Sequence, residues 1–345
     1  MKKVFALAAL VAVALTSCVT NEVVTPEGEI AFKAVNYKNT KAVVNGPISG
    51  TTYPTNEHFG VYAYHSTTAW STSYTPSPYM YGADGKGVEI WENGGVWKNH
   101  TQSYYWPKTG MLSFVAYSPY AFGTGTVSAT ATEGVAFTDF TTTNNFAAQI
   151  DLMATDVVKD KAKPNPVVSV PVSFKHLLSQ VKVAVKPAAT TYGSSGVASI
   201  TLDRVVLSGV NSVADYASAG GAVVATGWSG HATPIEYTYL SDDPADNQGV
   251  TLTATEGEAV GDAALVIPQK VAGRKITIDY TINYNGGAKD VMTNVVYNVP
   301  DTFDWEMGKI YTYTIIIGIG DEITFTPSVS SDWVAGSGDT NISVG

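Results

Sequence analysis

KITIDYTINYNGGAKD, running from Lys275 to Asp290, places Ile276, Ile278, Tyr280, Ile282 and Tyr284 at alternate positions against Lys275, Thr277, Asp279, Thr281 and Asn283. Successive side chains of an extended chain point to opposite faces, so this pattern predicts a strand with one face buried and one wet. The segment YNGGAKD that follows carries the residues of a tight turn and predicts a hairpin. The same alternation recurs in VKVAVK, where Val181, Val183 and Val185 share a face, and in IEYTYL, KIYTYTIIIGI and DEITFTPSV. Helical periodicity is nearly absent, and FKHLLSQ from Phe174 predicts one short helical turn. Strands of this kind, repeated between turns, predict an all-β chain built of antiparallel sandwiches.

Composition points the same way. Thirty-two glycines and twenty tyrosines, with abundant Thr and Val, favour strands and frequent turns. A hydrophobic fraction of 45% is ample for two cores, while only 14% of residues are charged and the net charge is −10. With no basic stripe to neutralise phosphates, nucleic acid is excluded as an expected partner.

Lys2 and Lys3, the apolar run VFALAALVAVAL and the small residues ending at Cys18 make a secretory signal over residues 1–17. The apolar run is shorter than the roughly 20 residues of a spanning helix. Cys18, the one cysteine, ends LTSC, which resembles the bacterial lipobox and implies cleavage before Cys18 and acylation of its thiol. Residues 18–28 read as a lipidated tether without periodicity. The 328 residues after the signal suggest two domains. VVKDKAKPNPVVSVP, with its charges and three prolines, sets the expected boundary between residues 29–165 and 166–345. No internal repeat at solenoid or propeller periods is present.

Sites of chemistry are weak. His58, His65, His100, His176 and His231 are scattered and form no zinc motif, so no metal or cofactor is expected. GWSGH around Ser229 has the wrong spacing for a nucleophile elbow and reads as a solvated turn. GADGKG from Gly82 lacks the ending of a phosphate loop and reads as a hairpin loop. Asp242, Asp243, Asp246 and Asn247 in SDDPADNQG offer oxygen ligands without EF-hand spacing, and read as an exposed loop. Glu89 and Glu92 suggest a glycosidase pair, but three residues apart in a strand they point to opposite faces. No enzymatic activity is expected. Aromatic residues are denser in YTPSPYMYG and WENGGVWKNHTQSYYWP, where Trp91, Trp97, Tyr105 and Trp106 form a candidate interaction surface for sugars or proteins. Packing in a sandwich core is the reading weighed against it.

FGVYAY from Phe59, YYWPKTGMLSFVAYSPY from Tyr104, DLMAT from Asp151, VPVSFKHLLSQVKVAV from Val170 and WEMGKIYTYTIII from Trp305 resemble, in order, the landmarks of the fimbrillin family, the minor-fimbrium-like pilins of the Bacteroidales that build type V pili. The resemblance covers about residues 29–333. It implies two transthyretin-like β-sandwich domains in tandem, export as an outer-membrane lipoprotein to the cell surface, and a first strand that fills a groove until a surface protease removes it. Donor-strand exchange with other pilin subunits would follow, giving a structural or tip subunit of an adhesive fimbrium. The family pattern makes Ile30, Phe32 and Ala34 in EIAFKAVNYKNTKAVVNG the inward face of that plug, with residues 29–41 removable and the cut between Lys41 and Ala42. It makes KIYTYTIIIGI and DEITFTPSV candidate donor or groove-lining strands. The chain departs from the family at the cut, which usually follows arginine; here the matching residue is Lys41, and Arg204 and Arg274 are the only arginines. The competing class is a surface glycan-binding lipoprotein that does not polymerise.

Overall fold

Alternating residues become strands wherever one of their faces can be covered. The computed structural model describes residues 28–36, 53–82, 84–188, 196–241, 249–252, 258–301, 304–318 and 324–330. In the first half the strands are β1 (Phe32–Asn36), β2 (Phe59–Ser66), β3 (Ser77–Met80), β4 (Val88–Asn93), β5 (Val96–Lys98), β6 (Met111–Ser118), β7 (Thr126–Thr130), β8 (Gly134–Thr141), β9 (Met153–Ala154) and β10 (Val158–Lys161). There follow β11 (Val170–His176), β12 (Ser179–Pro187), β13 (Val197–Ala217), β14 (Trp228–Leu240) and β15 (Val250–Leu252). The last are β16 (Glu258–Val266), β17 (Lys275–Tyr284), β18 (Lys289–Asn298), β19 (Ile310–Ile317) and β20 (Thr324–Ser330). Two short 3-10 turns are the only helical elements among the described residues, so the fold class is all-β.

The described residues form three sheets. The first runs β10-β6-β9-β11-β1-β5-β4-β2-β3, and an added pairing of β6 with β2 closes seven of its strands into a ring. The inward side chains of that ring, among them Phe32, Phe59, Phe114, Val172 and Phe174, form one core. The second sheet is β16-β12-β19-β20, and the third runs β18-β17-β13-β8-β7, with β14 and β15 also on β13. Val181, Val183 and Val185 of β12 face Ile276, Ile278 and Tyr280 of β17 in the core between these two sheets. A further core joins Tyr62, Tyr64, Val115 and Tyr117 on the outside of the ring to Phe137 of β8 and Tyr216 of β13. Strands β2 and β6 are therefore covered on both faces, which is why FGVYAY and MLSFVAYS read as nearly continuous apolar runs.

Strand β13 ties the layers together. Over Val197–Ser208 it pairs with β17, and over Val213–Ala217 it pairs with β8, which comes from the other half of the chain. Likewise β11, just after the charged Pro-rich segment, lies in the ring between β9 and β1.

Hydrogen bonding within the cores falls largely to tyrosine. Tyr239 donates to the Val181 carbonyl at 2.8 Å, Tyr311 to the Asp304 carbonyl at 2.8 Å, and Trp305 Nε1 to the Tyr313 hydroxyl at 2.9 Å. The aromatic residues of WEMGKIYTYTIII thus bury large rings while giving each polar tip a partner.

Two local expectations fail. FKHLLSQ forms no helical turn: Phe174 to His176 end β11, Ser179 begins β12, and Leu177 and Leu178 between them are fully buried where the chain crosses from one sheet to the next. Burial of both leucines outweighs the local periodicity, and the Leu177 N–H is satisfied by the Leu152 carbonyl. GADGKG is a tight loop with Gly82 N–H on the Lys86 carbonyl, but the strands it joins, β3 and β4, lie on either side of β2 and form no hairpin. YNGGAKD does close the β17–β18 hairpin, with Tyr284 N–H on the Ala288 carbonyl and Gly287 at φ +83°.

Gly60 of β2 sits opposite Tyr117 of β6. A Cβ there would lie 2.2 Å from the Tyr117 ring, which is fully buried and has nowhere to move. Gly60→Ala is expected to destabilise the fold by about 1–3 kcal/mol, read as a lowered midpoint in urea unfolding.

Candidate functional site

Residues 28–36 enter the ring between two of its strands, β11 and β5, which are joined only through β1. The Ile30 N–H donates to the Tyr104 carbonyl at 2.8 Å, and the Trp106 N–H to the Gly28 carbonyl at 2.8 Å. The Val170 N–H donates to the Ala31 carbonyl at 2.8 Å. From there β1 runs parallel to β11, with Phe32 opposite Val170, Ala34 opposite Val172 and Asn36 opposite Phe174. Towards β5 it makes a single pairing, Phe32 with Trp97.

Apolar and polar residues alternate from Phe32, and burial follows them. Phe32 is 2% exposed and Ala34 8%, while Lys33 between them points to solvent. Ile30 and Ala31 are both buried, because the chain there is still turning in from the Glu29–Tyr105 bridge. The Phe32 ring meets Phe59 edge-on at 6.2 Å and Phe114 at 5.6 Å. Burying Ile30 and Phe32 contributes about 1.5–3 kcal/mol each. Lys41, Ala42 and Cys18 lie outside the described residues, as do Asp242, Asp243, Asp246 and Asn247. The chain resumes at Tyr53, whose ring lies 5.2 Å from those of Trp97 and Phe174 in the same core, and whose hydroxyl is 2.7 Å from Ser118 Oγ. Burial pushes the Tyr53 hydroxyl well above its ordinary range.

Electrostatics add one fastening that the pattern of the sequence did not reveal. Glu29, immediately before the strand, is 1% exposed, and Lys98 at the end of β5 donates to its carboxylate at 2.8 Å. Burial acts to raise the Glu29 pKa, but hydrogen bonds from Lys98 and Ser103 and the charges of Lys98 and His100 outweigh it, and the group is held below the ordinary glutamate value. Nothing in the sequence links two residues 69 positions apart, so no spacing rule could have singled them out.

The four aromatic candidates do not form one surface. Trp106 is 7% exposed and packs edge-on against Phe114 at 5.9 Å, inside the core. Trp97 is partly buried, with its ring 5.2 Å from Tyr53 and 5.6 Å from Phe59. Trp91 carries the His58 imidazole stacked at 5.7 Å and His100 at 5.3 Å, and His58 Nδ1 in turn lies 2.7 Å from Glu89 Oε1. Tyr105, 52% exposed, is the one whose ring stands open. Core packing therefore takes Trp106 and most of Trp97, while Trp91 and Tyr105 lie outside the core.

The remaining candidates have structural partners. His176 Nδ1 lies 2.8 Å from Asp151 Oδ2, with both side chains buried, and His231 Nε2 lies 2.7 Å from the Pro268 carbonyl. Among the described residues no group of three or more His, Cys, Asp or Glu is placed to hold a metal ion. A cavity of about 220 Å³ opens beside Phe140, Thr142, Gln149, Ile150 and Leu265. The Gln149 amide is spent on the Thr143 carbonyl and the Leu265 N–H, so the walls that remain are largely apolar.

Two outcomes test this geometry. Because the folded pKa of Glu29 lies below its unfolded value of about 4.3, its contribution is complete above that value and lost as pH falls through the folded pKa. Glu29→Gln is expected to lower stability at pH 7, with the difference from the parent protein shrinking as pH falls through the folded Glu29 pKa, measured by thermal unfolding across pH. Trp106→Ala is expected to cost about 3–5 kcal/mol by the same measurement, the behaviour of a core residue rather than of an exposed binding platform.

Comparison with known proteins agrees with the architecture. A crystal structure of a fimbrial protein from Bacteroides vulgatus superposes with a TM-score of 0.65 at 21% identity, covering 88% of this chain and 99% of that one. A proposed cell adhesion protein from Bacteroides uniformis is similar at a TM-score of 0.49 and 20% identity, covering 89% of this chain and 100% of that one. No curated protein sequence matches the chain. The model of one family, described as fimbrillin-like, matches residues 40–333. With the match spanning most of its length, this chain belongs to the fimbrillin-like family.

Proposed function

We propose that this protein is a non-enzymatic structural or tip subunit of a cell-surface fimbrium, working in adhesion and assembled by donor-strand exchange. The observation that carries this reading is the place of β1 between β11 and β5 in the closed ring. Without Ile30, Phe32 and Ala34, the ring would lose its inward side chains there and bare the main-chain groups of β11, an edge that favours capture of a replacement strand. A donor that buries more apolar surface than this five-residue strand would displace the equilibrium towards the polymer without an external energy source.

In this reading the chain is exported with residues 1–17 removed, is anchored to the outer membrane through acylated Cys18, and is opened by cleavage between Lys41 and Ala42. Its partners are other pilin subunits, then a host or bacterial surface molecule. The body is two transthyretin-like sandwiches in tandem, braced by β13; with β11 part of the ring, the passage from the first to the second falls at Leu177 and Leu178, beyond the boundary expected at residues 165 and 166. Of the two runs proposed as donor or groove-lining strands, β19 is interior to its sheet and β20 stands at the edge, so β20 is the better placed to leave it. The competing glycan-binding reading rests on Tyr105 and the edge of Trp91, since Trp97 and Trp106 are committed to packing.

The test is the N-terminus of the protein recovered from the surface of its native cells, by intact mass and terminal sequencing. A chain beginning at Ala42 in the polymer is the expected result, and Lys41→Ala should keep the protein out of the polymer, as a chain beginning at Cys18. Piliated cells that carry only the chain beginning at Cys18 would overturn the proposal.

A further inference from the structure

The outer edge of β18 is built unlike the other free edges of the molecule. Strand β18 ends the third sheet and is hydrogen-bonded only to β17 among the described residues. Natural edges are blunted by short length, proline, charge or a bulge, because a bare edge recruits another strand. In this molecule β10 has four residues and carries Lys159, Asp160 and Lys161; β3 has four and contains Pro78. Strand β7 has five residues, β20 contains Pro327, β14 contains Pro234, and β16 contains Asp262 beside the positive-φ Gly261. Strand β18 has ten residues, no proline and no charge after Asp290, and the one blunting feature along it is a bulge at Thr293 and Asn294. It exposes Val291 at 65%, Met292 at 40% and Val296 at 50%.

Its sequence, Lys-Asp-Val-Met-Thr-Asn-Val-Val-Tyr-Asn, has nearly the same polarity read from either end, with the centre between Thr293 and Asn294. The geometry points to a second copy of this chain as the occupant, paired antiparallel along β18 about that centre. In this register Val291 faces Val296 of the other copy, Met292 faces Val295, Asp290 faces Tyr297 and Lys289 faces Asn298. Apolar residues meet apolar ones, and no like charges are opposed, although each chain carries a net charge of −10.

The faces agree as well. Met292 lies opposite Tyr280 and Val295 opposite Ile278, so both point to the inner side of the sheet, and Val291 opposite Thr281 and Val296 opposite Thr277 both point outward. This parity holds only because Thr293 and Asn294 stand where β17 has the single residue Asp279, a bulge with Asn294 at φ +54°. A regular strand meeting β18 would lose this match of faces at the bulge. A second β18 carries the same bulge at the centre and keeps it. The contact is isologous and closes with two copies, so it joins subunits side by side and needs no removal of β1. It therefore stands apart from the strand exchange proposed above.

The test uses the full chain with its first strand in place, in a Cys18→Ser background. Val291→Cys and Val296→Cys proteins are oxidised separately and as a mixture, and separated without reductant. The mixture should give a cross-linked dimer and the separate proteins should not, because residue 291 lies five positions, about 17 Å, from its own copy across the seam, beyond disulfide reach. The parent chain should dimerise with rising concentration in sedimentation, and Val291→Lys combined with Val296→Lys should weaken that association at least ~10-fold by opposing lysines twice. A parent chain that sediments as a monomer at the highest concentration reached, cross-linking by Val291→Cys alone, or a dimer unchanged by the double lysine variant would each overturn the proposal.

Discussion

A closed ring of strands has no tolerance for a missing member, and the structure depends on that constraint at β1. Strands β11 and β5 do not pair with each other, so the continuity of the ring passes through Phe32 to Asn36 alone. The strand is held by a parallel ladder on one side, by a single pairing on the other, by the two inward rings of the core and by the Glu29–Lys98 contact at its entrance. Each attachment is local to the first nine described residues. The proposed strand exchange would act on this element, whose neighbours contribute few bonds on one side.

The centre of the fold resists that kind of loss, unlike edge strands such as β20. Strand β13 is 21 residues long and holds β17, β14, β15 and β8, so the two halves of the chain share one sheet. The ring is backed on its outer face by Tyr62, Val115 and Tyr117, which pack against Phe137 and Tyr216. The buried His176–Asp151 contact joins the end of β11 to the segment leading into β9, its two neighbours in space but not in sequence. Removing the first strand would thus open one seam in an otherwise braced body, the mechanical property that a subunit held in a filament by strand uptake requires.

Much of this was legible in the residues. The alternation of VKVAVK, KITIDYTINY and IEYTYL appears as buried and exposed faces in β12, β17 and β14, and the glycines of YNGGAKD close the expected hairpin. Phe32 and Ala34 point inward and Lys33 outward, as the pattern from Glu29 required. Reading stopped where local pattern and tertiary environment conflict. FKHLLSQ has helical spacing, yet its two leucines are buried at a crossing between sheets. Trp91, Trp97, Tyr105 and Trp106 are close in sequence, yet adjacent positions on a strand face opposite ways, so their neighbours in the chain say nothing of which rings stay open.

The division between the two sources of information follows from range. Period-two alternation and turn residues act over a few neighbouring positions, so composition and pattern alone were enough for an all-β chain. Which strands become neighbours, where the ring closes, why Glu29 meets Lys98 and why β18 ends its sheet among the described residues are matters of contacts between residues far apart in the chain. Those contacts are selected by the burial of whole faces against one another, a quantity that exists only once the sheets have met.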